Sequence, residues 1–182
     1  MTATQADVTP PSSTDRRVAL VTGAAKRVGQ AIALELARAG LDVAITYLTS
    51  ENEARDTISQ IHALGRRAIA IKVDMADAHA PAIIEKQLFD VFDRLDVLVN
   101  NASVFDPSPL KEMTPAQFDH QMLINARTPI FLMQKFAPRL AAHYRAGDVT
   151  SMGRIINFID IHVMGQPLKG FMAYNVSKAA LR

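Results

Sequence analysis

A doubly wound α/β domain on a parallel sheet is the fold class this chain predicts, and three observations carry it. Short continuous apolar runs recur along the 182 residues, each the length of a strand buried on both faces. Between them stand stretches with apolar residues three and four positions apart, the period of an amphipathic helix. A glycine-bearing turn separates the first run from the first helix, the order in which parallel sheets build phosphate-facing crevices. Such alternation implies right-handed crossovers, helices on both faces and ligands at the carboxyl ends of the strands.

Val18-Ala19-Leu20-Val21 is the first strand and runs into Thr22-Gly23. Val28, Ile32, Leu36 and Ala39 mark the stripe of the first helix, which Gly40 closes. Asp42-Val43-Ala44-Ile45-Thr46-Tyr47 is the second strand, followed by an acidic-started helix over 51–64 and its Gly65 stop. Ala68-Ile69-Ala70-Ile71-Lys72-Val73 is the third, and Ile84, Leu88, Val91 and Phe92 form the stripe of the next helix. Val97-Leu98-Val99 is the fourth strand. A helix then starts near Pro115 and can bend at Pro129, where a helical hydrogen bond is lost. Arg154-Ile155-Ile156-Asn157-Phe158-Ile159 is the fifth strand, and 173–182 a last helix. The irregular stretches 102–114 and 161–172 both follow strand ends, where a site belongs.

Hydrophobic residues make up 49% of the chain, ample for a packed core. Residues 1–15 carry Thr, Ser, Pro, Gln and Asp without an apolar stretch and read as a disordered leader, leaving 16–182 as the folded domain. Twenty Lys and Arg against 18 Asp and Glu is close to balance, with no basic run to favour nucleic acid or membrane. No segment reaches the roughly 18 apolar residues a bilayer span needs. Cysteine is absent, which removes disulfides and thiolate sites and is compatible with a cytoplasmic setting. The five histidines show no metal-ligand spacing, so no metal is expected.

Thr22-Gly23-Ala24-Ala25-Lys26-Arg27-Val28-Gly29 sits between strand and helix, where glycines let backbone approach a pyrophosphate; the plainer alternative is a tight turn alone. Tyr174 and Lys178 are four apart and share a helix face, so an ammonium can lower the pKa of a phenol and ready it for proton transfer. Asp160 is either part of that chemistry or the cap of a strand-end turn. After the second strand no carboxylate precedes Glu51, and Thr49 and Ser50, with Lys26 or Arg27 nearby, favour a cofactor with a 2′-phosphate. Ser50 can equally cap the following helix.

Together these residues resemble the short-chain dehydrogenase/reductase family, whose pattern is Thr-Gly-x-x-x-Gly-x-Gly, then Asn-Asn-Ala-Gly, then Tyr-x-x-x-Lys. Arg27 replaces the middle glycine and Ser103 ends Asn100-Asn101-Ala102-Ser103; with Asp160 at the usual catalytic serine, these departures resemble the pteridine reductase branch. The resemblance implies a Rossmann-type fold whose C-terminal part is missing, since family members continue well past the Tyr-x-x-x-Lys helix. It implies NADPH held by Gly23, Lys26, Arg27, Val28 and Gly29, by Tyr47, Thr49 and Ser50, and by Asp74 and Met75 beside the adenine. Asn101, Ala102, Ser103, Tyr174 and Lys178 would complete that site, with Lys178 bonding the nicotinamide ribose. Catalysis falls by the same resemblance to Tyr174, Lys178 and Asp160, its carboxyl pKa raised by enclosure, with Asn125 holding a water of the proton relay. Substrate would meet Arg27, Ser103, Phe105, Asp160 and Tyr174. Phe105 stacks on a flat ring in this reading and is a core side chain in the plainer one. Asp160 and Tyr174 stand 14 positions apart, one more than the family spacing.

The function expected is NADPH-dependent reduction of a pterin or dihydrofolate-like small molecule, in a homo-oligomer if a longer form exists. One alternative is a carbonyl reductase of the same fold, acting on a 3-oxoacyl or sugar ketone. Another is a truncated cofactor-binding module without turnover.

Overall fold

The computed structural model describes residues 16–182; the expected leader lies outside the described residues. Five strands form one parallel sheet in the order β3-β2-β1-β4-β5. These are β1 (Val18–Val21), β2 (Asp42–Tyr47), β3 (Ala68–Lys72), β4 (Val97–Asn100) and β5 (Arg154–Asn157). The connecting helices are α1 (Arg27–Arg38), α2 (Glu51–Ala63), α3 (Ala80–Phe89), α4 (Pro115–Met122), α5 (Thr128–Ala141) and α6 (Met172–Ala180). The strand order reverses between β1 and β4, so a crevice opens at their carboxyl ends, the place such sheets bind ligands.

Alternation along the strands feeds two cores. Val18, Leu20, Leu98 and Ile71 pack with Ile84 and Leu88 of α3 and Leu132 and Phe136 of α5. Ala19, Val21, Val43, Ile45, Val97 and Val99 pack with Ala33 and Ala37 of α1 and Ile61 of α2. No helix among the described residues is long and apolar enough to cross a membrane.

Three details differ from the sequence expectation, each for a packing reason. The buried stripe of α1 is Gly29, Ala33 and Ala37, one position on from the expected one, and Val28 is 58% exposed. Small residues bring this helix close to the sheet, a constraint that a count of bulky side chains does not see. Helix α3 ends at Phe89, so Val91 is exposed while Phe92 turns back into the core. Strand β5 ends at Asn157 and its first three residues are exposed, although Ile155 and Ile156 read as a buried run.

The helix expected from Pro115 does start there, behind a capping box in which Thr114 Oγ1 accepts from Gln117 N and Gln117 Oε1 from Thr114 N. Ahead of Pro129 it widens into a π-helical turn, Leu123–Arg127. A π turn absorbs the mismatch created by a residue without an N–H. Asn125 lies in that turn.

Candidate active site

The carboxyl ends of β1 and β4 are fastened by side chains from both strands' continuations. Thr22 Oγ1 accepts from the N–H groups of Asn101 and Ala102, each at 3.0 Å. Asn101 Nδ2 donates to the carbonyls of Thr22, at 2.8 Å, and Gly23, at 3.1 Å. Gly23 has φ +63°, and a Cβ there would lie 2.9 Å from Ala102 Cα. A Cβ on Gly29 would meet Asn101 Nδ2 and Gly23 O at 2.6 Å. Both positions demand glycine because the backbone itself fills the space.

Beside this junction lies a groove of about 410 Å³, within the ordinary size of a small-molecule site. Gly23, Lys26, Arg27, Val28, Gly29, Tyr47, Asp74, Met75, Asn101, Ala102 and Ser103 line it. Thr46 lines it as well, its Oγ1 accepting from Gly23 N at 3.0 Å. Along β2 the lining ends at Leu48, and Thr49 and Ser50 lead away into α2. Ser50 makes no side-chain capping bond, so its hydroxyl is not spent on that helix. Arg27 adopts φ +57°, a left-handed conformation that costs a non-glycine residue of the order of 1 kcal/mol. Lys26 stands 3.9 Å from Glu53 on the exposed rim.

Asp160, Tyr174 and Lys178 converge at the other side of the sheet's carboxyl edge. Tyr174 Oη donates to Asp160 Oδ2 at 2.8 Å, and Asp160 Oδ1 accepts from His162 N at 2.9 Å. Lys178, buried, donates to the carbonyl of Phe158 at 2.8 Å, and its ammonium stands 5.9 Å from the Tyr174 ring centre. Phe105 stacks on Phe171 with 4.3 Å between ring centres and meets Tyr174 edge-on at 4.7 Å. It is 53% exposed, which rules out the core alternative for this ring.

These contacts reverse two electrostatic expectations. Burial, the hydrogen bond to Asp160 and that carboxylate's charge push the Tyr174 phenol well above its ordinary 10.0. The expected lowering by Lys178 is not what sets it: its ammonium donates to Phe158 O, while the phenol is bonded to the Asp160 carboxylate. Asp160 is held below its ordinary 3.8, first by the His162 backbone bond; burial opposes this, and the Tyr174 bond and the Lys178 charge add smaller lowering effects. Enclosure pushes it upward as expected, but the hydrogen bonds and nearby charge outweigh that push. Lys178 is lowered by burial, with the charge of Asp160 opposing.

Asn125 is fully buried and its amide is committed. Oδ1 accepts from Val104 N at 2.9 Å and Ser103 Oγ at 3.1 Å; Nδ2 donates to Val104 O at 2.9 Å and Ser177 Oγ at 3.0 Å. The side chain thus ties the loop after β4 to α6, leaving no side-chain donor for a water. Phe171, Leu48, Val104 and Ser177 also join the site; Phe171, three residues before Tyr174, was the one with a readable signal. Among the described residues no three metal-ligating groups converge.

The profile of the short chain dehydrogenase family matches residues 17–182. The chain belongs to the short-chain dehydrogenase family. Among family relatives, hydroxynaphthalene reductase arp2 of Aspergillus fumigatus is 34% identical over 165 residues, covering 91% of this chain and 57% of that one. Versicolorin reductase 1 of Aspergillus parasiticus is 37% identical over 142 residues, 78% of this chain and 51% of its own. Among solved structures, the angucycline C-6 ketoreductase LanV with bound NADP matches at TM-score 0.79 and 32% identity, covering 91% of this chain and 63% of LanV. A Burkholderia cenocepacia short chain dehydrogenase in complex with NADP matches at 0.81 and 38%, covering 91% and 64%. This short-chain dehydrogenase sequence therefore spans little more than half the length of the curated relatives it matches.

Proposed function

We propose that the chain carries the cofactor groove and proton-donating end of an NADPH-dependent carbonyl reductase acting on a flat aromatic ketone. The observation that carries this reading is the convergence of Tyr174, Asp160 and Lys178 beside a groove whose glycines leave room for backbone to touch a ligand. The relatives support the ketone: their names speak of a hydroxynaphthalene, versicolorin and an angucycline C-6 ketone. The paired rings of Phe105 and Phe171 supply a planar wall for such a molecule. NADPH over NADH is favoured by the absence of a carboxylate after Tyr47, by Lys26 on the rim and by the NADP-bound neighbours.

When bound, the nicotinamide supplies a hydride to the carbonyl carbon. The chain's part is the proton. Tyr174, neutral through physiological pH, donates from Oη to the carbonyl oxygen as its C–O bond becomes single. A phenolate beside the Asp160 carboxylate is unfavourable, so the phenolate left by the transfer takes its proton back from water, and Asp160, ionised and accepting from Tyr174 Oη, orients the restored hydroxyl. Lys178, tied to Phe158 O, places a positive charge beneath the ring and holds the end of β5 against α6. Asn125 and Ser103 hold the loop that carries Phe105.

A second reading, reduction of a pterin, is favoured by one feature: a carboxylate rather than a neutral hydroxyl bonded to the phenol, with an aromatic platform at Phe105. None of the relatives described above carries a pterin in its name, and the ketone leads. NADPH oxidation by the purified chain, measured with a fused-ring aromatic ketone and with a dihydropterin, decides. Faster turnover of the ketone is expected; a preference for the dihydropterin reverses the order, and binding without oxidation of NADPH leaves only a nucleotide-binding module.

A further inference from the structure

The helix that carries Tyr174 and Lys178 lacks a cap of its own. Phe171 occupies the N-cap position and makes no side-chain hydrogen bond, although the first N–H groups of any helix need acceptors from outside. Ser108 supplies them from 65 positions earlier in the chain. Its carbonyl accepts from Met172 N at 3.2 Å, and its Oγ accepts from Ala173 N at 3.0 Å. Its own N–H donates to Gly170 O at 2.7 Å. One fully buried residue thus grips the chain on both sides of Phe171, in an isolated parallel bridge.

We propose that Ser108 is a positioning residue for Tyr174. Its hydroxyl fixes the axial position and rotation of α6, and so the place of the phenol relative to Asp160 and the groove. Packing alone does not call for the hydroxyl, since alanine would fill nearly the same volume; what the oxygen adds is an acceptor aimed at the helix N-terminus. The same loop carries Phe105, whose ring stacks on Phe171, so substrate wall and catalytic helix move as one body. Asn175 closes the other side, exchanging two hydrogen bonds with the backbone of Leu168 at 3.1 and 2.8 Å. The groove glycines are not part of this assembly, and the cofactor should not sense its loss.

The kinetic readout rests on the reductase reading. Ser108→Ala keeps the backbone bonds and removes only the Oγ acceptor. It should lower kcat about tenfold or more, leave the NADPH dissociation constant within about twofold, and be largely reversed in Ser108→Thr, which keeps the oxygen. An unchanged kcat in Ser108→Ala overturns the proposal, as does a parallel loss of kcat and NADPH binding or a Ser108→Thr as slow as the alanine variant. Should the parent show no turnover, the reductase reading fails separately, and fluorine NMR of the 3-fluorotyrosine-labelled chain decides on Ser108. With the Tyr174 resonance assigned through Tyr174→Phe, a displacement in Ser108→Ala that returns in Ser108→Thr supports the proposal; a resonance that stays in place in both overturns it.

Discussion

Every residue of β1 and β4 is buried, whereas Arg154, Ile155 and Ile156 of the neighbouring β5 are all exposed. The two regions are held by different means. Around the groove, position is set by backbone in contact with backbone, with no room for one methyl at Gly23 or Gly29. At the proposed catalytic end, it is set by a few directed bonds: Tyr174 to Asp160, Lys178 to Phe158, Ser108 to the start of α6. The comparison teaches that, on the proposed reading, binding and proton transfer should fail independently. A steric change should cost the first and a lost hydrogen bond the second.

The largest separation is expected from Tyr174→Phe. Removing the proton donor should lower turnover by roughly 10²–10⁴-fold, while NADPH titration gives a dissociation constant within about twofold of the parent. Next in size is a pair of truncations at positions directly opposed across β4 and β5, Leu98 and Ile155. In urea unfolding, Leu98→Ala should cost about 2–5 kcal/mol as a fully buried residue. Ile155→Ala, half in solvent, should cost about 1 kcal/mol or less. Equal losses would mean that β5 is covered in solution.

Gly29→Ala sharpens the comparison from the groove side. Its Cβ has only backbone and the Asn101 amide to push against, an overpacking of about 1–3 kcal/mol. NADPH affinity should fall about tenfold or more, with the Tyr174 environment unchanged. The smallest effect concerns pH. Because burial and Asp160 keep the phenol protonated beyond its ordinary 10.0, the proton donor stays loaded through neutrality, and its loss begins only on the strongly alkaline side. Asp160→Asn removes the carboxylate's charge and weakens the bond, so the alkaline limb of the pH-rate profile should move to lower pH. An alkaline limb that does not move would show that burial alone sets it.

The same division explains what could be read from sequence. β1 to β4 and the glycine turn were legible because their demands are local: an apolar run, a helix period, a position where only glycine fits. Val28 misled because the sheet face of α1 is chosen by small residues, Gly29, Ala33 and Ala37, and not by the bulkiest ones. Ile155 and Ile156 misled because an apolar run states what a strand can bury and not what lies against it. At the site, Tyr174 and Lys178 were found by spacing, yet spacing does not say that the ammonium bonds Phe158 O while the carboxylate bonds the phenol. That choice reversed the expected directions for both Tyr174 and Asp160. Ser108 left no mark at all, since a serine 65 residues before the helix it caps looks like any loop serine.

Nicotinamide absorbance followed in the purified chain with NADPH and a fused-ring aromatic ketone, for the parent and Tyr174→Phe side by side, tests the central claim most directly. The account predicts steady oxidation by the parent, none above background in the variant, and equal cofactor binding in both. Equal oxidation by the two, or NADPH bound by the parent and never consumed, would contradict it.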